Sequence, residues 1–292
     1  MNTRTKGILL ITISAFCFAW MNAFVRLSGD LPSIQKSFFR NFIAAIFAFI
    51  ILKRNHTPLR WEKGNLKFLV LRATAGTIGI LCNFYAVDHL VLSDASMLNK
   101  MSPFFAILFS YFFLREKCTP AQIFAVACAF AGSLFIIKPT FTNMELMPSV
   151  IGFIGGLGAG AAYTVVRYLG QRGEKGPFIV FFFSAFSCLV TLPALLLDFH
   201  PMTAAQTAFL LLAGLAAAGG QFAITAAYCY APSREISVYD YSQIIFSALL
   251  GFVLFGQLPD RYSVFGYVII CAMAIFMFFY NNRKVDQIKG AA

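Results

Sequence analysis

The chain has 292 residues, 59% of them hydrophobic and only 12% charged, with 35 phenylalanines and a mean hydropathy of +0.75. That balance lies far outside the soluble mixture and excludes a water-soluble enzyme or a disordered chain. The formal net charge of +11 does not argue for a nucleic-acid partner, because a membrane protein gathers Lys and Arg on its cytoplasmic side for insertion.

Crossing a hydrocarbon core of about 30 Å takes about 20 apolar residues per helix. The sequence offers such stretches at 7–28, 33–52, 67–88, 93–114 and 119–138, then at 148–168, 177–197, 206–229, 235–256 and 262–281. These runs are continuous rather than ten-residue alternations, so a β-barrel is excluded. The expected fold class is an all-α membrane protein with ten transmembrane helices. Arg4 and Lys6 precede the first run in the manner of a secretory signal, but the run continues past Trp20 to Val25 with no small-x-small cleavage site, and it reads as the first span.

Cytoplasmic connections retain Lys and Arg. With both termini inside, fifteen such residues fall in inside segments, among them Lys53, Arg54, Arg115, Lys117, Arg172 and Arg234, against Lys138 and Arg261 outside. Adding or losing a span midway would scramble this alternation, which supports ten spans in the cytoplasmic (inner) membrane. Five spans per half makes any internal repeat an inverted one. A shift of 141 places Val25-Arg26 on Val166-Arg167, Ala44 on Ala185, Ser96 on Ser237, and Ala131 on Ala272. A shift of 143 pairs Gly76 with Gly219 and Tyr85 with Tyr228. The expected organisation is a first five-helix repeat over 1–140 and a second over 141–292.

The stretch Leu114-Arg115-Glu116-Lys117, continuing through Pro120, Gln122 and Gly132 to Ile136-Ile137, resembles the junction between spans four and five in the drug/metabolite transporter superfamily, in particular its ten-helix EamA-type members. Its counterpart in the second half, Phe255-Gly256-Gln257 followed by Gly266, carries Gln257 where the family often has Glu. The resemblance implies two inverted five-helix repeats, a central cavity between them, and alternating access without ATP. It implies no particular substrate.

Ionisable groups deep in hydrocarbon cost at least about 2.5 to 3.5 kcal/mol on insertion scales, so each needs a reason to be there. Lys100 lies seven residues into the fourth span and Asp240 five into the ninth. The shift of 141 sets Asn99 opposite Asp240 and Lys100 opposite Tyr241, placing polar groups at mirrored depths on equivalent helices. Ser96, Asn99 and Lys100 share a polar face with Ser93, as do Ser237, Asp240 and Tyr241 with Ser247, and Pro103 frees a carbonyl near Asn99. Two readings stand: a wall that contacts substrate, with Asp240 as the proton-coupling candidate, or a structural ion pair.

Amphipathic side chains within other spans, Trp20, Asn22, Asn83, Tyr163 and Gln221, suit either recognition in a concave site or interhelical hydrogen bonding. Arg26, Lys36 and Arg40 near the outer ends of the first two spans form an electropositive vestibule or else snorkel to headgroups. The vestibule reading favours an organic anion. Gly152, Gly156 and Gly160 form a small-xxx-small ladder on the sixth span, and Gly214 with Ala218 repeats the theme on the eighth.

The seven cysteines are scattered singly and the three histidines have no partner at ligand spacing, so no metal and no cofactor are expected. No G-x-S-x-G motif, paired-His motif or nucleotide-binding glycine loop supports an intramembrane enzyme or ATP hydrolysis by this chain. The expected activity is secondary transport of a small polar organic metabolite, with membrane lipids as the surrounding partner and proton coupling through Asp240 as one option. Either a monomer or a homodimer fits. A non-transporting scaffold is the rival of another class; it requires no aqueous cavity.

Overall fold

The computed structural model describes residues 3–114, 119–137, 145–230 and 237–290. The Arg115 to Lys117 junction, Lys138, Arg234 and Glu235 lie outside them, as do the side chains of Arg167, Tyr228 and Ser237.

With no water to satisfy backbone groups in a bilayer core, an apolar run must pair its own N–H and C=O groups, and these runs do so as helices. They are α1 (Thr3–Leu27), α2 (Ser33–Arg54), α3 (Leu66–His89), α4 (Leu92–Asn99), α5 (Ser102–Leu114), α6 (Pro120–Ile137), α7 (Leu146–Gln171), α8 (Gly176–Leu197) and α9 (Ala204–Tyr230). A 3-10 turn over Ser237–Tyr241 leads into α10 (Ser242–Phe255), and α11 (Arg261–Gly290) follows. Among the described residues, eight helices are long and apolar enough to cross a membrane. The expected fourth and ninth spans are instead broken, the fourth between α4 and α5 and the ninth between the 3-10 turn and α10.

Several helix starts are written locally. Thr119 N–H donates to Gln122 Oε1 while Gln122 N–H donates to Thr119 Oγ1, a reciprocal cap at the start of α6. Thr203 and Gln206 repeat it at the start of α9. Gln122, part of the stretch that carries the family resemblance, therefore has a local structural task. Gly256 ends α10 in the left-handed region at φ +63°, where a side chain is disfavoured.

The principal packing partners are α1 with α9, α3 with α7, α2 with α8, and α6 with α11. Exchanging each span for the one five later converts the first pair into the second and leaves the other two unchanged. Contacts of α1 with α10, and of α7 with α4 and α5, obey the same exchange. The glycines of α7 permit the closest approach. A Cβ at Gly158 would stand 2.9 Å from the Ala75 carbonyl oxygen, and one at Gly156 would strike the Leu98 carbonyl oxygen. Large apolar side chains such as Phe112, Leu196, Ile245 and Val253 remain exposed, as expected of a bundle whose outer surface meets lipid rather than water.

Candidate transport site

The two broken spans meet at their breaks. Pro103 has no N–H, so the helix begun at Leu92 loses a rung and stops at Asn99. The Phe104 N–H turns to the Met101 carbonyl, which leaves the Lys100 carbonyl without a helical donor. Tyr241, in the 3-10 turn of the other broken span, donates its hydroxyl to that carbonyl at 3.1 Å. Lys100 Nζ then donates to Asp240 Oδ2 at 2.5 Å. Both residues of this pair are buried, and Asp240 Oδ1 has no hydrogen-bond partner. Such a pair is held by mutual attraction that offsets desolvation, so removing one member costs about 3–5 kcal/mol.

Asn22, Asn83 and Ser96 lie in a different environment. Asn83 Nδ2 donates to Asn22 Oδ1 at 3.2 Å, Asn22 Nδ2 to Ser96 Oγ at 3.4 Å, and Ser96 shares a hydrogen bond of 2.8 Å with Ser247. All four are buried, and they form a polar thread joining α3, α1, α4 and α10. Trp20 stacks obliquely on Phe24 with centroids 5.1 Å apart, and Asn99 and Gln221 are half-buried. The Ser237 side chain lies outside the described residues.

The three basic residues expected together near the outer ends go separate ways. Arg26 donates to the carbonyls of Val87 and Leu90 and so closes the C-terminus of α3. Lys36, wholly buried, pairs with Asp88 at 2.6 Å. Neither has its charge directed into open space. They belong to a polar clasp at the end of the bundle opposite the Arg-rich connections. In it Gln35 exchanges two hydrogen bonds with the His200 backbone, and Gln206 donates to the Ser28 carbonyl. Gln257 accepts from the Leu92 N–H, and Asp94 accepts from Ser263 and Tyr267. At the basic end, Glu174 accepts from the Glu62 N–H and from Asn65, joining two connections.

Arg40 leaves its two neighbours and turns into the bundle. Its guanidinium donates to Asn41 Oδ1 at 2.5 Å and lies 5.9 Å from the Phe183 ring centroid. The same ring carries Arg72, at 3.8 Å. Sequence reading did not single out Arg72. It sits only a turn and a half inside the third span, where an arginine ordinarily reaches the headgroups, and its six-residue depth was the one available signal.

Tyr163 on α7 lies within electrostatic reach of Arg40, Arg72 and Asp240, yet it keeps 40% of its surface accessible. Its charged neighbours, Arg40 on α2, Arg72 on α3 and Asp240 in the 3-10 turn, are all buried. Tyr163 thus neighbours both the Lys100–Asp240 pair and the two arginines.

Residues 5–138 match the profile of the EamA-like transporter family. Over 272 residues the chain is 32% identical to the pseudopaline exporter CntI of Pseudomonas aeruginosa, covering 92% of this chain and 95% of that protein. It is 28% identical to a riboflavin transporter of Brucella anthropi, covering 83% of this chain and 88% of the relative. It is also 24% identical to human solute carrier family 35 member G1, over 91% and 77% of the two chains. A crystal structure with 14% sequence identity shares the fold at a TM-score of 0.67, covering 96% of this chain and 98% of its own.

Proposed function

The chain belongs to the EamA-like transporter family, and from that premise we propose that it is a secondary, ATP-independent carrier of a small polar organic metabolite, most favourably an organic anion, working by alternating access. The observation that carries this reading is the meeting of the two broken spans at the buried Lys100 and Asp240 pair. Broken helices in a membrane are tolerated where their freed backbone groups are taken up by protein or line a cavity, and in carriers they mark the substrate region. The pairing of spans, unchanged when each is exchanged for the one five later, supports two repeats divided near residue 140. Rocking of one against the other would expose the region around this pair to each side in turn.

The basic connections belong in this reading to the cytoplasm, together with both termini. The clasp around Lys36 and Asp88 then closes the outer end, so the conformation is one with its external side sealed. Asp240 is the candidate for proton coupling, because protonating it would release Lys100 and loosen the junction of the two broken spans. Both broken spans belong to one chain, which suits a functional monomer. Similarity to a protein named as an exporter favours outward transport.

Purified protein in liposomes tests the carrier reading. Counterflow against a panel of organic acids, amino acids, sugars, nucleosides, vitamins and organic cations should reveal one class that exchanges faster than in protein-free vesicles. With that class, Asp240→Asn should lose accumulation driven by a pH gradient while keeping exchange. Uptake of no class above the protein-free background would sink the proposal.

A further inference from the structure

Arg40 and Arg72 are each only 4% exposed, and among the described residues neither has a carboxylate partner. Arg40 Nε has no hydrogen-bond partner, and neither has Arg72 Nε or Nη1. Ser184, adjacent to Phe183 and wholly buried, leaves its hydroxyl unpartnered as well. Among the other described residues, Lys36 is answered by Asp88, Lys100 by Asp240, and the half-buried Arg26 by two carbonyls. Arg40 has only the neutral Asn41 Oδ1 and leaves Nε bare, Arg72 leaves Nε and Nη1 bare, and both lie over one ring.

Burying an arginine in a membrane without a partner is unfavourable on every scale, and evolution readily replaces such a residue with an apolar one unless it has a task. Stacking on Phe183 holds the planar groups by cation–π attraction and leaves their N–H edges free. Asn41 fixes Arg40: it accepts from the guanidinium while donating to the Ser37 carbonyl and to Ser187 Oγ. Gly76 makes the room for Arg72, because a Cβ there would stand 2.7 Å from Arg72 Nη1 and 2.9 Å from the Phe183 ring. Lys100 and Asp240 neutralise one another, so among the described residues the positive charge of the two arginines is uncompensated. Pre-positioned, desolvated N–H donors of this kind match the geometry of carboxylate and phosphate oxygens.

We propose that Arg40 and Arg72, stacked on Phe183 between α2, α3 and α8, form an oxyanion-binding subsite that reads a carboxylate or phosphate group of the transported metabolite. The inference rests on the carrier reading and deepens it. It moves anion recognition from Lys100, whose charge is taken by Asp240, to a pair of residues on other spans. The ammonium of Lys100 and the hydroxyl of Tyr163 then face the remainder of the substrate. Phosphate and carboxylate share this chemistry, and the probes below separate them.

The test uses the full chain in nanodiscs, with thermal unfolding measured against succinate, glutarate and glycerol phosphate and against the neutral counterparts succinamide, glutaramide and glycerol. At least one oxyanion should raise the transition temperature by about 2 °C or more, with no response to its neutral counterpart. Arg72→Gln and Arg40→Gln should abolish that response. In the absence of ligand they should unfold at the same or a higher temperature than the parent, because an unanswered buried charge has been removed. Arg72→Lys keeps the charge without the planar fork and should retain only a small part of the response. Gly76→Ala, which displaces the guanidinium but leaves both arginines in place, should weaken it at least tenfold in apparent affinity.

Three results would overturn the subsite. One is an oxyanion response of full size in Arg72→Gln. Another is a lower ligand-free stability in both Gln variants, which marks the arginines as structural. The third is a parent protein stabilised by neutral or cationic solutes and by no oxyanion. That last outcome leaves the carrier reading intact, whereas absence of counterflow for every class removes the carrier reading itself.

Discussion

Tyr241 donates its hydroxyl to the backbone carbonyl of Lys100, and the two residues are separated by 141 positions, the shift at which Val25-Arg26 falls on Val166-Arg167. The contact joins the breaks of the expected fourth and ninth spans. The neighbouring pair, Lys100 and Asp240, adds an ionic contact at the same place.

This contact makes a prediction about stability. Lys100→Met or Asp240→Leu alone leaves an unanswered charge in a buried setting and should cost about 3–5 kcal/mol. The double apolar variant should recover most of the loss, since the two effects are coupled through one contact. Thermal unfolding of the four proteins in detergent gives the coupling directly, and additive losses would show that the two side chains do not depend on each other.

Lys36 and Asp88 should behave similarly for stability but differently for access. Their pair is part of the clasp at one end of the bundle, with the Lys36 side chain fully buried and the Asp88 side chain 17% exposed. Asp88→Asn should both destabilise and loosen that end. A cysteine placed at Ser37, which is buried one position from Lys36, should then react faster with a membrane-impermeant maleimide than in the unaltered background. Equal labelling rates would detach this ion pair from closure of the end.

Gly156 and Gly170 lie on the same helix and should respond in opposite ways to alanine. The added methyl at 156 meets the Leu98 carbonyl oxygen, a backbone atom that no rotamer change can move, whereas at 170 nothing lies within 4 Å. Gly156→Ala should lose about 1–3 kcal/mol by forcing α7 away from α4. Gly170→Ala should be neutral or gain up to about 1 kcal/mol through the unfolded chain. Unfolding temperatures of the two variants check the contrast.

Tyr267 donates its hydroxyl to Asp94 and shares a hydrogen bond with the Ser93 hydroxyl, joining α11 to α4. Tyr267→Phe removes a hydrogen bond to a buried carboxylate and should cost about 1.5–3 kcal/mol. In an Asp94→Asn background the same substitution should cost less. An unchanged penalty there would place the effect in packing of the ring.

Sequence alone determined the medium and the helical class, because bilayer thickness translates directly into run length; of the ten expected spans, eight stand among the described residues as helices long enough to cross and two are broken. It also located Lys100, Asp240 and Tyr241, since charge and proline inside apolar runs are conspicuous and the repeat offset set them at matching depths. What it left open was the partner of each polar group. Asn22, Asn83 and Ser96 have the same residue types whether they face a cavity or each other, and only the packing of α1, α3, α4 and α10 joined them into one thread. Arg26, Lys36 and Arg40 read alike as basic residues near helix ends. Tertiary structure separated them, giving the first two to carbonyls and to Asp88 and turning the third inward. Arg72 was the least legible of all, because its depth in the chain resembles that of an interfacial residue. Its meeting with Arg40 over Phe183 depends on three helices whose contact no local pattern encodes.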